Sequence, residues 1–179
     1  SSDVCSSDLR YLQTGHASSK FGFHLGDGEA RAALLRILQD DQLDLLGVHA
    51  HTGTMLRETR PYAECLTRLL ALAGDVYHET GWWPREISPG GGWAINTPDG
   101  EATPGIEILA ATLQESMLQG LAAVGGQVSA PRLIIEPGRS IIEIGQETAE
   151  PDFGRTRKAK EPPVPLARRI ATLAAATAE

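Results

Sequence analysis

Three short apolar runs, each ending in a polar or glycine-rich tail, alternate with long amphipathic stretches, and this alternation restricts the chain more than any other feature. Leu43, Leu45, Leu46 and Val48 make a run too brief for a helix, closing on His49-Ala50-His51-Thr52-Gly53, where glycine permits a turn. Glu86-Ile87-Ser88-Pro89 leads into Gly90-Gly91-Gly92, and Arg132-Leu133-Ile134-Ile135 runs into Glu136-Pro137-Gly138-Arg139. Between the first two runs, Pro61 opens a helix whose apolar face is Tyr62, Cys65, Leu66, Leu69, Leu70, Ala73, Val76 and Tyr77, stopping at Gly81. Ile106, Leu109, Leu113, Met117, Leu121 and Val124 mark a later helix, and Ala30, Leu34, Ile37 and Leu38 an earlier one over 27–40, with Asp27 placed to accept its first free N–H groups. Strands alternating with helices predict an α/β fold with a parallel sheet, either doubly wound or a β/α barrel; periodicity alone does not choose. In both architectures the chemistry sits at the carboxyl ends of the strands, where these polar tails fall.

Composition narrows the function classes. At 179 residues, 41% hydrophobic and 22% charged, the chain suits about one globular domain. A net charge of −7 with scattered acids argues against a nucleic-acid partner. No apolar run is long enough for a membrane span, and the first residues lack the order of a signal peptide. Cys5 and Cys65 give no disulfide framework, so a reducing cytoplasm is expected. Residues 1–9, with their repeated Ser-Ser-Asp, read as a foreign or disordered leader, 10–142 as the α/β domain, and 143–179 as a divergent linker with a candidate terminal helix.

Three constellations can carry chemistry. His49 and His51, two apart at a strand end, point to one face in an extended chain, as metal ligands would. A metal-dependent hydrolase needs further ligands downstream, and only His78 follows, inside a helix; a histidine packed at a barrel rim is the weightier reading. Gly90-Gly91-Gly92 lets backbone N–H groups approach a phosphate, although such turns are more often merely turns and the dinucleotide and P-loop spacings are missing. Glu136 and Arg139 set an anion and a cation in one small space, which an ordinary rim salt bridge also explains.

Taken together, Ser19-Lys20-Phe21-Gly22, Gly47-Val48-His49-Ala50-His51-Thr52-Gly53-Thr54, Pro89-Gly90-Gly91-Gly92 and Glu136-Pro137-Gly138-Arg139-Ser140 resemble the pyridoxal-phosphate (PLP) dependent decarboxylases of alanine-racemase fold, with the diaminopimelate decarboxylase branch the best likeness. The resemblance implies the second half of a (β/α)8 TIM-type barrel, with PLP at the carboxyl ends of its strands. It implies that His51 stacks on the pyridine ring and that Thr54 lies near the phosphate with Gly90, Gly91 and Gly92. Glu136 would face the ring nitrogen, and Arg139 would complete the phosphate cradle or meet a substrate carboxylate. A small amino-acid substrate and a homodimer with shared active sites are implied as well.

The family's cofactor-linking lysine belongs to an early strand ahead of all these motifs, and Lys20 matches a different one, so no lysine here is expected to take that role. The family's β-rich domain and its cysteine motif find no match, and Trp93 stands where phenylalanine is usual. The isolated chain is therefore expected to be inactive. Decarboxylases of ornithine, arginine or carboxynorspermidine, a non-catalytic regulatory relative, and the metal hydrolase through His49 and His51 stay open.

Overall fold

The computed structural model describes residues 22–96, 103–126 and 128–138, together with the backbone of a strand at 170–176. In chain order these form β1 (Phe23–His24), α1 (Glu29–Leu38), β2 (Asp44–Ala50), α2 (Arg60–Thr80), β3 (Glu86–Ser88), α3 (Ile106–Val124), β4 (Arg132–Leu133) and β5 (Ile170–Ala176). They build one parallel sheet in the order β1-β5-β2-β3-β4. From β2 through β4 each new strand joins on the same side of its predecessor, so right-handed crossovers leave α2 and α3 on one face. A barrel winds in this way, and so does each half of a doubly wound sheet; β5 departs from the progression by returning to the far side of β2.

The long helices follow the sequence pattern closely. Pro61 sits in the first turn of α2, where its missing N–H costs nothing, and Gly81 ends the helix at φ 75°, its N–H returning to the Tyr77 carbonyl. Tyr62, Cys65, Leu66, Leu69, Leu70, Ala73 and Val76 are buried between the sheet and α3, each large side chain contributing about 1.5–3 kcal/mol by burial. Gly120 of α3 lets Leu70 approach, and Gly74 of α2 meets Val124, so small residues set the distance between the two helices. Leu109, Leu113, Met117 and Val124 are buried as expected, whereas Ile106, the first residue of α3, is half exposed because no turn precedes it to cover its side chain. α1 is shorter than expected: it starts at Glu29 behind a left-handed Gly28, and Asp27 Oδ1 accepts the Glu29 N–H at 3.1 Å.

One expectation is overturned. The alanine-rich tail, read as a terminal helix, holds strand β5, which pairs with β1 on one side and β2 on the other. Alanine favours helix locally, but hydrogen bonding along both edges of a strand outweighs that preference, and such pairing leaves no local periodicity to read. The β2–β5 register slips between Leu45 and Gly47, and Gly47 is also where β2 lies tightest against β3. Strand β4 is short, yet its pairing continues: the Ile134 N–H reaches the Ile87 carbonyl at 2.9 Å, and Glu136 bridges to Gly91. The expected leader, 1–9, and the linker up to residue 169 lie outside the described residues.

Two glycines should separate crowding from conformation. A Cβ at Gly47 would fall inside the backbone carbonyl of Glu86, while at Gly81 it would meet open space at positive φ. Urea unfolding should show Gly47→Ala destabilised by about 3 kcal/mol or more and Gly81→Ala by about 1–2 kcal/mol; equal losses would contradict the tight β2–β3 approach. Burial pushes the Cys65 thiol up to about 11, against a smaller opposite pull from the Thr52 hydrogen bond and Arg68. The folded state thus holds this proton more tightly than the unfolded chain, whose thiol titrates near 9.0, so stability is complete below that pH and declines as pH rises to about 11. The decline is roughly 3 kcal/mol. Alkylation of Cys65 at pH 9 should be slow in buffer and fast in urea; equal rates would show that the thiol is open.

Candidate functional site

Ala50, at the end of β2, Gly90-Gly91-Gly92 beyond β3 and Glu136 beyond β4 meet at the carboxyl end of the sheet, backbone against backbone. A Cβ on Gly90 would strike the Ala50 carbonyl oxygen, one on Gly91 that of Glu136, and one on Gly92 that of Gly53. Gly90 and Gly92 also hold φ values of 82° and 88°, which other residues rarely adopt. The glycine run therefore has a structural cause independent of any ligand: three strand-end segments converge too closely for side chains.

Polar contacts lock this convergence. Each glycine carbonyl is engaged: that of Gly90 accepts the Glu136 N–H at 3.2 Å, that of Gly91 the buried Tyr62 hydroxyl at 2.9 Å, and that of Gly92 the Leu56 N–H at 2.9 Å. The Ser88 hydroxyl oxygen accepts the Gly90 N–H at 3.2 Å, and the Thr52 hydroxyl donates to the Pro89 carbonyl at 3.3 Å. Tyr62 packs edge-on against Trp93, ring centres 5.6 Å apart, and burial raises its hydroxyl far above the ordinary tyrosine range, with the nearby Cys65 adding to the rise. Tyr62 is thus a neutral donor to the loop.

Above the glycines lies a cleft of about 450 Å³ lined by His51, Thr54, Met55, Gly91, Gly92, Trp93, Glu136, Pro137 and Gly138. Its volume is that of a small-molecule site. Of the residues singled out in sequence, His51, Thr54, Gly91, Gly92 and Glu136 all line it; Gly90 supports it from beneath, against His51, and Arg139 lies outside the described residues. Met55 enters the wall in a left-handed conformation, φ 59°, unusual for a side chain of its size and a sign of local strain. The polar contacts of Thr52 and Tyr62 carry no sequence signal, since their partners are the Pro89 and Gly91 carbonyls of a distant segment.

His49 and His78 contact separate protein groups. His49 Nδ1 lies 3.1 Å from Ser88 Oγ and 3.9 Å from Glu136 Oε1, while His78 Nε2 contacts the Val124 carbonyl on α3. Among the described residues no three His, Cys, Asp or Glu side chains gather as a metal site would require. Among them also, no helix is long and apolar enough to cross a membrane.

Chemically, the cleft offers an imidazole, a half-exposed carboxylate, a hydroxyl and a glycine-walled floor whose carbonyls are engaged by protein donors. Comparison with known proteins assigns this arrangement to a family. Residues 1–143 match the pyridoxal binding domain of the pyridoxal-dependent decarboxylases. Diaminopimelate decarboxylase of Halalkalibacterium halodurans is 30% identical over 132 residues, 74% of this chain and 30% of that protein. The Mycobacterium bovis enzyme of the same name is 32% identical over 144 residues, 77% and 31% of the two chains. Among solved structures, diaminopimelate decarboxylase from M. jannaschii superposes with a TM-score of 0.63 at 29% identity, covering 72% of this chain and 28% of that one. The Helicobacter pylori enzyme, complexed with L-lysine, gives 0.61 at 29% identity, covering 74% and 30%. The chain thus spans about 30% of the length of these relatives. The parallel sheet is part of their alanine-racemase-like TIM barrel, and the chain belongs to the pyridoxal-dependent decarboxylases through their pyridoxal binding domain.

Proposed function

We propose that this chain supplies the ring-facing and phosphate-facing side of a PLP site in an amino-acid decarboxylase, with meso-diaminopimelate as the substrate and lysine as the product. One observation carries the reading: His51, Thr54, Gly91, Gly92 and Glu136, spread over 86 positions of sequence from 51 to 136, line a single cleft. The donor set suits PLP. A flat imidazole matches an aromatic ring face, a carboxylate matches a protonated ring nitrogen, and a glycine floor with a nearby hydroxyl lets a phosphate come close to backbone. The named relatives favour diaminopimelate over ornithine, arginine or carboxynorspermidine.

PLP, when bound, supplies the electron sink that accepts the pair left behind by departing CO2. The chain's own groups would set the conditions for this. Glu136 would hold a proton on the ring nitrogen, since a neighbouring anion favours the charged ring. His51 would cover one ring face, and Thr54 with Gly91 and Gly92 would anchor the phosphate, Gly90 bracing the loop through Ser88 and Glu136, with Arg139 joining them or meeting the substrate carboxylate. No lysine of these 179 residues is assigned the covalent link to the cofactor. The full enzyme would be a homodimer with shared sites, in the cytoplasm, in keeping with Cys65 as a free thiol.

Pyridoxine 5'-phosphate lacks the aldehyde and does not form adducts with surface lysines, so it isolates the non-covalent site. It should quench fluorescence from Trp93 in a saturable way, competitively with PLP. Glu136→Gln should weaken binding about tenfold, and His51→Ala by a similar factor; linear quenching, or variants that bind like wild type, would contradict the site. With PLP added, CO2 release from meso-diaminopimelate by the purified chain should equal that of PLP alone, and faster release would refute the assignment of no linking lysine.

A further inference from the structure

We propose that His49 is a positioning residue for Glu136: its imidazole, fixed by the Ser88 hydroxyl, lies beside the Glu136 carboxylate and limits the rotamers open to it next to the cleft that contains His51. The proposal builds on the ring site described above and adds a residue to which that reading gives no role.

Glu136 borders two hollows. One is the His51 cleft; the other, of about 310 Å³, opens beside the strands and is lined by Val48, His49, Ile87, Ser88 and Ile134 as well as Glu136. Glu136 is the residue shared by the two linings. Its side chain is 56% exposed, so solvent alone would leave it free to sample several rotamers, whereas His49 is only 21% exposed. Ser88 is 5% exposed and tied to the Gly90 N–H, so the hydroxyl that contacts His49 Nδ1 is anchored on the glycine loop. A chain of contacts therefore runs from the loop through Ser88 and His49 to Glu136.

The proton inventory defines what this chain can do. With neutral His49, the Ser88 O–H donates to Nδ1 and the ring proton sits on Nε2. With protonated His49, the Nδ1–H donates to Ser88 Oγ, and the cation lies 3.9 Å from Glu136 Oε1. The protonated ring attracts the carboxylate, whereas the neutral ring, with a lone pair on Nδ1, restricts the Glu136 rotamers by its bulk alone. A carboxylate placed in advance meets a ring nitrogen without first losing conformational freedom, which is the benefit of an ordered supporting residue.

The test has a ligand-free arm and a ligand-bound arm, both on the full chain. In the first, glutamate is 13C-labelled at its carboxyl, and the Glu136 signal is identified by its loss in Glu136→Gln. His49→Phe should move that signal, and His49→Gln, which can still bond to Ser88, should return it toward the wild-type position. Should His49→Phe fail to fold by circular dichroism, Ser88→Ala replaces it, since freeing the imidazole should also move the Glu136 signal. An unmoved signal in the folded variant overturns the proposal whether or not any ligand binds. In the second arm, ring-15N pyridoxine 5'-phosphate reports its own protonation: the ratio of protonated to neutral ring should fall roughly tenfold in His49→Phe and recover in His49→Gln. An unchanged ratio in a bound variant also overturns it. Failure of the wild-type chain to bind contradicts the ring site instead, and the ligand-free arm then decides the role of His49.

Discussion

Backbone contact among three strand ends is the constraint on which the rest of this structure depends. Gly90, Gly91 and Gly92 touch Ala50, Glu136 and Gly53 at distances that admit no Cβ, so the carboxyl ends of β2, β3 and β4 are drawn into one small area. His51, Trp93 and Glu136 each follow directly from one of those contacts, and their convergence is a result of it. Tyr62 transmits the arrangement to the core, since its hydroxyl holds the Gly91 carbonyl while its ring is buried on α2. Core packing and cleft geometry are thereby parts of one arrangement.

Much of this was legible in the sequence where the signal is local. Most of the buried face of α2 could be read, because a 3.6-residue period bracketed by Pro61 and Gly81 admits few alternatives; Tyr77, read on that face, is only half-buried, and buried Leu72 and Gly74 were not read. The cleft residues were legible by another route, the order and spacing of short motifs, since a lone triple glycine or paired histidine says little. What escaped is non-local. Strand β5 exists through pairing with strands more than a hundred residues earlier in the chain, and its alanine-rich composition pointed to a helix. The roles of Thr52 and Tyr62 escaped for a related reason: their partners are the Pro89 and Gly91 carbonyls, which only the fold brings near.

The same geometry gives the motif residues two kinds of work. The glycines are required by packing before any phosphate is considered, and Glu136 takes part in strand pairing through its backbone while the residue borders two hollows. His49 and His51 share one strand end, yet one lies against Ser88 and the other lines the mouth, so a paired-histidine pattern that suggests metal binding serves separate ends here.

The central claim is that these strand ends form one binding mouth for a pyridoxal phosphate, and backbone amide shifts of the 15N-labelled chain during titration with pyridoxine 5'-phosphate test it most directly. The account predicts saturable shifts concentrated at residues 51–55, 91–93 and 136, all with one dissociation constant. Shifts dispersed over unrelated surfaces, or different constants for the three segments, would contradict it.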